Sequence, residues 1–321
     1  MFHPGGRESQ ASGRRVFRLA IVALAVLAGL AADHRQPDET AAAAAPIGRS
    51  IVGSTSTYVA RAGATLGLVS ARVGESPRLI ARENGLARNV RLRDWQRLSI
   101  DNRHIVPGGA ADGILINIPQ RMLFLLRGNG AEAAYPIAVG KPTWETPIGA
   151  FTIGAKDRDP TWVVPEEIQE EMREKGQPVL TEVPPGPDNP LGAYRLRLRN
   201  TDYAIHGTNA PASIFGYGTH GCIRLGPADI AALFDQVSIG EPVALIYAPV
   251  LLAVEPAGEI YLEVHRDIYN RGLDSQTVID RAAAALGVTG RLDADRVKDV
   301  LAARDGIARR VDHLQDSPVR E

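Results

Sequence analysis

Among 321 residues there is one cysteine, Cys222. A lone cysteine cannot close an intramolecular disulfide, so the thiol is either a small buried apolar group or a reactive one. Aromatic residues make up only 5% of the chain, and the formal net charge is -1. Stacking platforms are scarce and no basic excess exists, which argues against a general nucleic-acid binder. The seven histidines are scattered, with no H-x-x-x-H spacing and no cysteine pair, so no metal site is read. Gly140-Lys141 lacks the spacing of a phosphate-binding loop, and no cofactor is implied. The uncharged run from Leu19 to Ala32 is too short for a comfortable membrane span of about 20 residues.

What is present converges on one stretch, Ile205-His206-Gly207-Thr208 running on to Thr219-His220-Gly221-Cys222-Ile223-Arg224-Leu225. The alternating run Tyr194-Arg195-Leu196-Arg197-Leu198-Arg199 precedes it, so His206 is expected at a strand end in an antiparallel sheet. Gly216, Gly218 and Gly221 let the backbone double back towards that strand. Gly226-Pro227-Ala228-Asp229 then opens a helix with Ile230, Leu233 and Phe234 on its apolar side. A thiol in a glycine-bounded turn, near a helix N-terminus and a histidine, is expected to lose its proton easily. Those are the surroundings of an activated nucleophile.

His206 followed by Thr219-His220-Gly221-Cys222-Ile223-Arg224 resembles the active-site signature of the L,D-transpeptidases, bacterial cysteine enzymes that cross-link peptidoglycan. Further stretches fit the same catalytic domain in order: Gly140-Lys141-Pro142, Thr146-Pro147-Ile148-Gly149-Ala150-Phe151, Asp159-Pro160-Thr161-Trp162 and Pro185-Gly186-Pro187-Asp188-Asn189-Pro190-Leu191-Gly192. The resemblance implies a mainly β catalytic domain of curved mixed sheets over residues 112–247. It implies Cys222 as nucleophile and His206 as the group that takes and returns the proton. His220, two residues from Cys222, would share a face with the thiol if the stretch were extended, and it is given a supporting role. The backbone N–H groups of Gly221 and Cys222 are expected oxyanion donors. Thr219, Gly207 and Trp162 are read as substrate-binding; Arg224 either holds a substrate carboxylate or pairs with an internal acid.

The flanking segments follow from composition. Arg14, Arg15 and Arg18 before the apolar run read as a signal peptide over residues 1–32, hence export to the periplasm; the alternative is an uncleaved inner-membrane anchor. Residues 33–56 read as a mobile linker. Residues 57–107, in strand, helix, helix, strand order with Gly63-Ala64-Thr65-Leu66 and Asn84-Gly85-Leu86, resemble a LysM glycan-binding module, a small α+β unit. Trp95 stands where that family has a Pro-Gly turn. The segment carries nine arginines against four acids, which suits either an anionic wall or a solvated face. His104 is read as a linker or interface residue. Short strands follow around Ile114–Ile118, Met122–Leu126 and Tyr135–Val139. An acidic helix after Pro165 carries Glu166, Glu167, Glu170, Glu171 and Glu174; the segment is read as a lid over the thiol, with no catalytic carboxylate. Residues 248–321 form a small α/β extension, a hairpin and two helices capped by Asp274 and Asp293, packed on the main domain.

The activity implied is acyl transfer on peptidoglycan stem peptides and glycan. The acceptor amine would come from a second stem or from an outer-membrane protein or lipoprotein. The competing readings are a cysteine hydrolase of peptidoglycan amides and a non-catalytic wall-binding protein.

Overall fold

The computed structural model describes residues 46–128 and 130–313. The expected signal segment and the first part of the expected linker lie outside these residues.

The linker expectation is corrected over its described part. Gly48–Val52 is a strand paired antiparallel with His104–Pro107, and Thr55–Val59 pairs with Arg97–Asp101. The apolar side chains responsible are few and widely spaced. Ile51 and Val52 pack on the cluster of Ile105, Leu251 and Ala253, while Ile47 packs beside Val250 and Leu252. The burial partners lie in His104–Pro107 and in the C-terminal part of the chain, so the local sequence carried no periodic signal for this strand.

Between Thr55–Val59 and Arg97–Asp101 sit two short helices, α1 (Leu66–Val73) and α2 (Pro77–Glu83). Thr65 Oγ1 accepts the Leu68 N–H, and Ser76 Oγ accepts the Leu79 N–H, so each first turn is capped by its own side chain. Leu66, Val69, Ile80, Leu98 and Ile100 close a small core. This unit does not stand apart. His104–Pro107, expected as part of a joint, is a fully buried strand.

Residues 113–246 form one strongly curved mixed sheet of nine strands. In spatial order these are Tyr217–Thr219, Gly130–Gly140, Ile223–Leu225, Ala204–His206, Tyr194–Leu198, Gly149–Arg158, Pro242–Ile246, Gly113–Asn117 and Met122–Arg127. The long strand Gly130–Gly140 pairs with Met122–Arg127 along its first part and with Ile223–Leu225 near its end, so the sheet closes on itself. Three pairings are parallel, including Ala204–His206 beside Ile223–Leu225. Helix α3 (Glu166–Glu174) buries no residue, whereas α4 (Pro227–Gln236) buries Ile230, Leu233 and Phe234 under the sheet. Fully enclosing Leu233 contributes about 2–3 kcal/mol.

The C-terminal segment forms a three-stranded sheet, Val250–Val254, Ile260–Val264 and Arg309–Arg310, covered by α5 (Ser275–Ala285) and α6 (Ala294–Ala303). Asp274 and Asp293 cap these helices through their carboxylates, as their positions in the sequence require. Val250, Leu252, Ile279 and Val300 form its core.

Candidate active site

His206 ends the strand Ala204–His206, where the alternation of the preceding run places it. The parallel register pairs Ile205 with Ile223 and His206 with Arg224. Ile205 and Ile223 are fully buried in the main core. Side chains alternate along a strand, so Ala204, His206 and Arg224 share the opposite face, and Cys222 stands immediately before the strand Ile223–Leu225 that carries Arg224. Arg195, paired with His206 on the other side, shares that face. The pairing of two neighbouring strands thus brings His206 and Cys222, sixteen residues apart in sequence, close together.

His206 Nδ1 lies 2.7 Å from the carbonyl oxygen of Gly207. A carbonyl can only accept, so Nδ1 carries a proton, and the Leu191 backbone also favours the protonated ring. Burial, reinforced by the guanidinium groups of Arg224 and Arg195, pushes the pKa of His206 down to about 4. Burial also pushes the thiol of Cys222 up, against the pull of the Ala204 backbone amide and Arg224. The resting pair is therefore neutral thiol and neutral imidazole, not thiolate and imidazolium. This corrects the expectation of a readily ionised thiol. The strand Ile223–Leu225 separates Cys222 from the first turn of α4, so that helix N-terminus does not adjoin the sulfur.

The turn before Cys222 depends on a glycine. Gly221 has φ +97°, and a Cβ there would lie 2.5 Å from the ring of Tyr203 and 3.2 Å from the carbonyl of Glu145. The stretch from His220 to Cys222 is consequently a turn, not the extended run in which His220 would share a face with the thiol. His220 instead points to α3. Its Nε2 is 2.5 Å from Glu171 Oε2 on α3, its ring meets Trp144 edge-on at 4.4 Å, and Lys141 Nζ is 3.5 Å away. Hydrogen bonds from Lys175, His220 and Lys141 hold the Glu171 carboxyl down at about 2.

Several assigned residues take different roles. Thr219 is buried and its hydroxyl donates to the Cys222 carbonyl at 2.6 Å, so it shapes the turn and does not face a substrate. Gly207 packs against Leu191 and Ile230, and its carbonyl bonds the His206 ring, so it acts on His206 and does not face a substrate. Trp162 is half-buried in a two-residue strand that precedes α3 and pairs with Glu182–Val183. The aromatic that meets His220 is Trp144. Arg224 donates from Nη1 to Ser213 Oγ at 3.1 Å, and its buried Nε has no partner among the described residues. No acidic side chain pairs with it among those residues, which favours the substrate-carboxylate reading over an internal ion pair.

Sequence reasoning missed Tyr203, Trp144 and Glu171. Tyr203 stood one residue before the strand, but nothing local indicated that its ring would cover Gly221. Trp144 and Glu171 reach His220 from a loop and a helix, Glu171 across 49 positions, with no spacing to announce them.

The L,D-transpeptidase catalytic-domain family, named YkuD, matches residues 111–245. The chain is 36% identical over 206 residues to the probable L,D-transpeptidase YbiS of Escherichia coli K12, covering 62% of this chain and 67% of that protein. It is 34% identical over 221 residues to the probable L,D-transpeptidase ErfK/SrfK of Salmonella typhimurium, covering 65% and 70%. With the probable L,D-transpeptidase YcfS of Escherichia coli K12 the identity is 31% over 230 residues, covering 69% and 72%.

Proposed function

Because this chain belongs to the L,D-transpeptidase family, we propose that it is an exported enzyme that acts on peptidoglycan stem peptides through Cys222. The supporting observation is the parallel pairing of the strand that ends at His206 with Ile223–Leu225, the strand that Cys222 leads into from a glycine turn. The neutral Nε2 of His206 takes the thiol proton as sulfur attacks the carbonyl between the diamino acid and the terminal D-alanine of a stem tetrapeptide. Charge on the tetrahedral oxygen is met by the backbone N–H groups of Gly221 and Cys222. His206 then returns the proton to the departing D-alanine nitrogen, leaving a thioester on Cys222. An amine takes the acyl group and regenerates the thiol. That amine is the side chain of a diamino acid on a second stem, giving a 3-3 cross-link, or a lysine of an outer-membrane protein or lipoprotein.

The remaining N–H groups of Arg224 suit a stem carboxylate. The lid helix, tied by Glu171 to His220, limits water at the thioester and favours aminolysis. The strand, helix, helix, strand unit of residues 55–101 is the part suited to holding glycan, and the basic, apolar N-terminal segment supports export to the periplasm.

The test is intact-protein mass spectrometry after incubation with a disaccharide tetrapeptide, beside Cys222→Ala. A D-alanine-deficient adduct on the native protein alone is expected. A folded sample with a free thiol that neither forms the adduct nor releases D-alanine would reject the proposal, and adduct decay only to water would move the reading to a hydrolase.

A further inference from the structure

The segment beginning at Thr146 and the chain after Val264 have no part in the chemistry above, yet hydrogen bonds join both to the active-site turn. The loop from Gly140 to Thr146 folds tightly on itself. A Cβ on Gly140 would lie 2.1 Å from the Trp144 carbonyl oxygen, and the Gly140 N–H donates to Thr146 Oγ1 at 2.8 Å. The Thr146 hydroxyl, buried in the loop, donates onward to the carbonyl of Gly221 at 2.9 Å. From the other side comes Tyr269. Its phenol accepts the Thr146 N–H at 3.1 Å and donates to the Gly140 carbonyl at 2.9 Å, clamping both ends of the loop. Tyr269 is itself buried and stacked on Tyr247 at 5.4 Å; the Tyr247 hydroxyl accepts the Tyr269 N–H and donates to Asp267. Burial keeps the Tyr269 phenol protonated, and so a donor.

The consequence lies in peptide geometry. The Gly221 carbonyl and the Cys222 N–H belong to one planar unit and point in opposite directions. A hydroxyl that fixes the carbonyl therefore fixes where the N–H aims. Thr219, by holding the Cys222 carbonyl at 2.6 Å, fixes the following unit as well.

We propose that Thr146 and Tyr269 are positioning residues for acyl transfer, holding the Gly221–Cys222 peptide so that its N–H meets the developing oxyanion. The C-terminal segment is then part of the active-site architecture and not only packing. This rests on the cysteine reading given above.

The experiment uses the full chain and compares Tyr269→Phe, Thr146→Val and Thr146→Ser. Phenylalanine keeps the buried ring and removes only the hydroxyl; serine keeps the hydroxyl that valine lacks. D-alanine release from a disaccharide tetrapeptide gives kcat and KM per titratable thiol. Alkylation by iodoacetamide reports thiol access without forming an oxyanion. Tyr269→Phe and Thr146→Val are expected to lower kcat about 10-fold, less than the loss of an oxyanion donor itself, with KM and alkylation within about twofold. Thr146→Ser should recover most of the loss. Unchanged kcat in Tyr269→Phe and Thr146→Val, or a Thr146→Ser as slow as Thr146→Val, overturns the proposal. If Tyr269→Phe does not fold, the two Thr146 variants decide alone. Wild-type protein that shows no Cys222-dependent release overturns the cysteine reading together with this one, whereas an active wild type with unimpaired variants overturns the brace only.

Discussion

Among the described residues, two places bury histidine beside another titratable group, and they resolve the cost of burial in opposite ways. Glu263 is fully enclosed, and four donors converge on its carboxylate: His104 Nδ1 at 2.8 Å, His265 Nε2 at 2.8 Å, Gln120 Nε2 at 3.0 Å and the Ile105 N–H at 2.5 Å. His104 has an acceptor at each nitrogen, Glu263 on one side and the Gly74 carbonyl on the other, so it holds both protons and a charge. The pKa of His104 is raised by Glu263 against the opposing effect of burial, and that of Glu263 falls to about 2. At His206 burial is as complete, but the charged neighbours are guanidinium groups, and the pKa drops to about 4. Glu263 holds the charge on His104, which has an acceptor at each nitrogen, while burial pushes the pKa of His265 beside the same carboxylate down. His206, with guanidinium groups beside it, is left a neutral base with a lone pair available for chemistry.

The sharpest break of this comparison removes one anchor from each place. Cys222→Ala is expected to lower D-alanine release by at least about 10^4-fold, with the urea midpoint almost unmoved. Glu263→Gln should do the reverse. It strands the His104 charge and is expected to cost about 3–5 kcal/mol in urea unfolding, while activity per folded molecule stays near that of the parent. A Glu263→Gln protein as stable as the parent would mean that the buried charge on His104 is not real.

The contrast between these two anchors also separates what the sequence made legible from what it did not. Caps at Ser76, Asp274 and Asp293, the strand leading to His206 and the short strands after Gly113 all follow from local spacing, and all are found. The lone cysteine and its flanking glycines pointed to the reactive turn. Everything that tunes that turn is distant. Thr146 reaches Gly221 across 75 positions, Tyr269 reaches Gly140 across 129, and Glu263 reaches His104 across 159. Such pairings leave no periodic trace, since each is a single polar contact fixed by the closed sheet and its attached C-terminal unit. The strand Gly48–Val52 was missed for the same reason, its partners lying in His104–Pro107 and in the strand Val250–Val254.

Acidity sharpens the comparison next. His206 has a folded pKa below its ordinary 6.5, so its contribution to stability is present above about pH 6.5 and lost as pH falls through about 4. The shift corresponds to roughly 3 kcal/mol, and His206→Gln should flatten that limb of a stability-pH curve. Glu263 acts lower, between its ordinary 4.5 and about 2. Catalysis follows the same sign. The acid limb of kcat/KM is expected near pH 4, because only below it is the Nε2 lone pair protonated. A limb near pH 6.5, in protein whose tryptophan fluorescence remains native, would remove the distinction between the two histidines.

The smallest effect belongs to the pair that looks strongest on distance alone. Glu171 sits 2.5 Å from both His220 and Lys175 and 3.3 Å from Lys141, yet all four side chains remain partly open to solvent. Exposed pairs are screened by water and salt and contribute little to stability. Glu171→Gln should therefore leave the urea midpoint unchanged. It should alter partitioning of the thioester between amine and water by about threefold or less, since glutamine can still bond His220 and only the attraction of Lys141 and Lys175 is lost. Salt at about 0.5 M should produce the same small change in the parent and none in the variant. A large loss of turnover in Glu171→Gln would place that carboxylate with Glu263, as a charge on which the imidazole beside it depends, and would give His220 a part in the proton transfer proposed for His206.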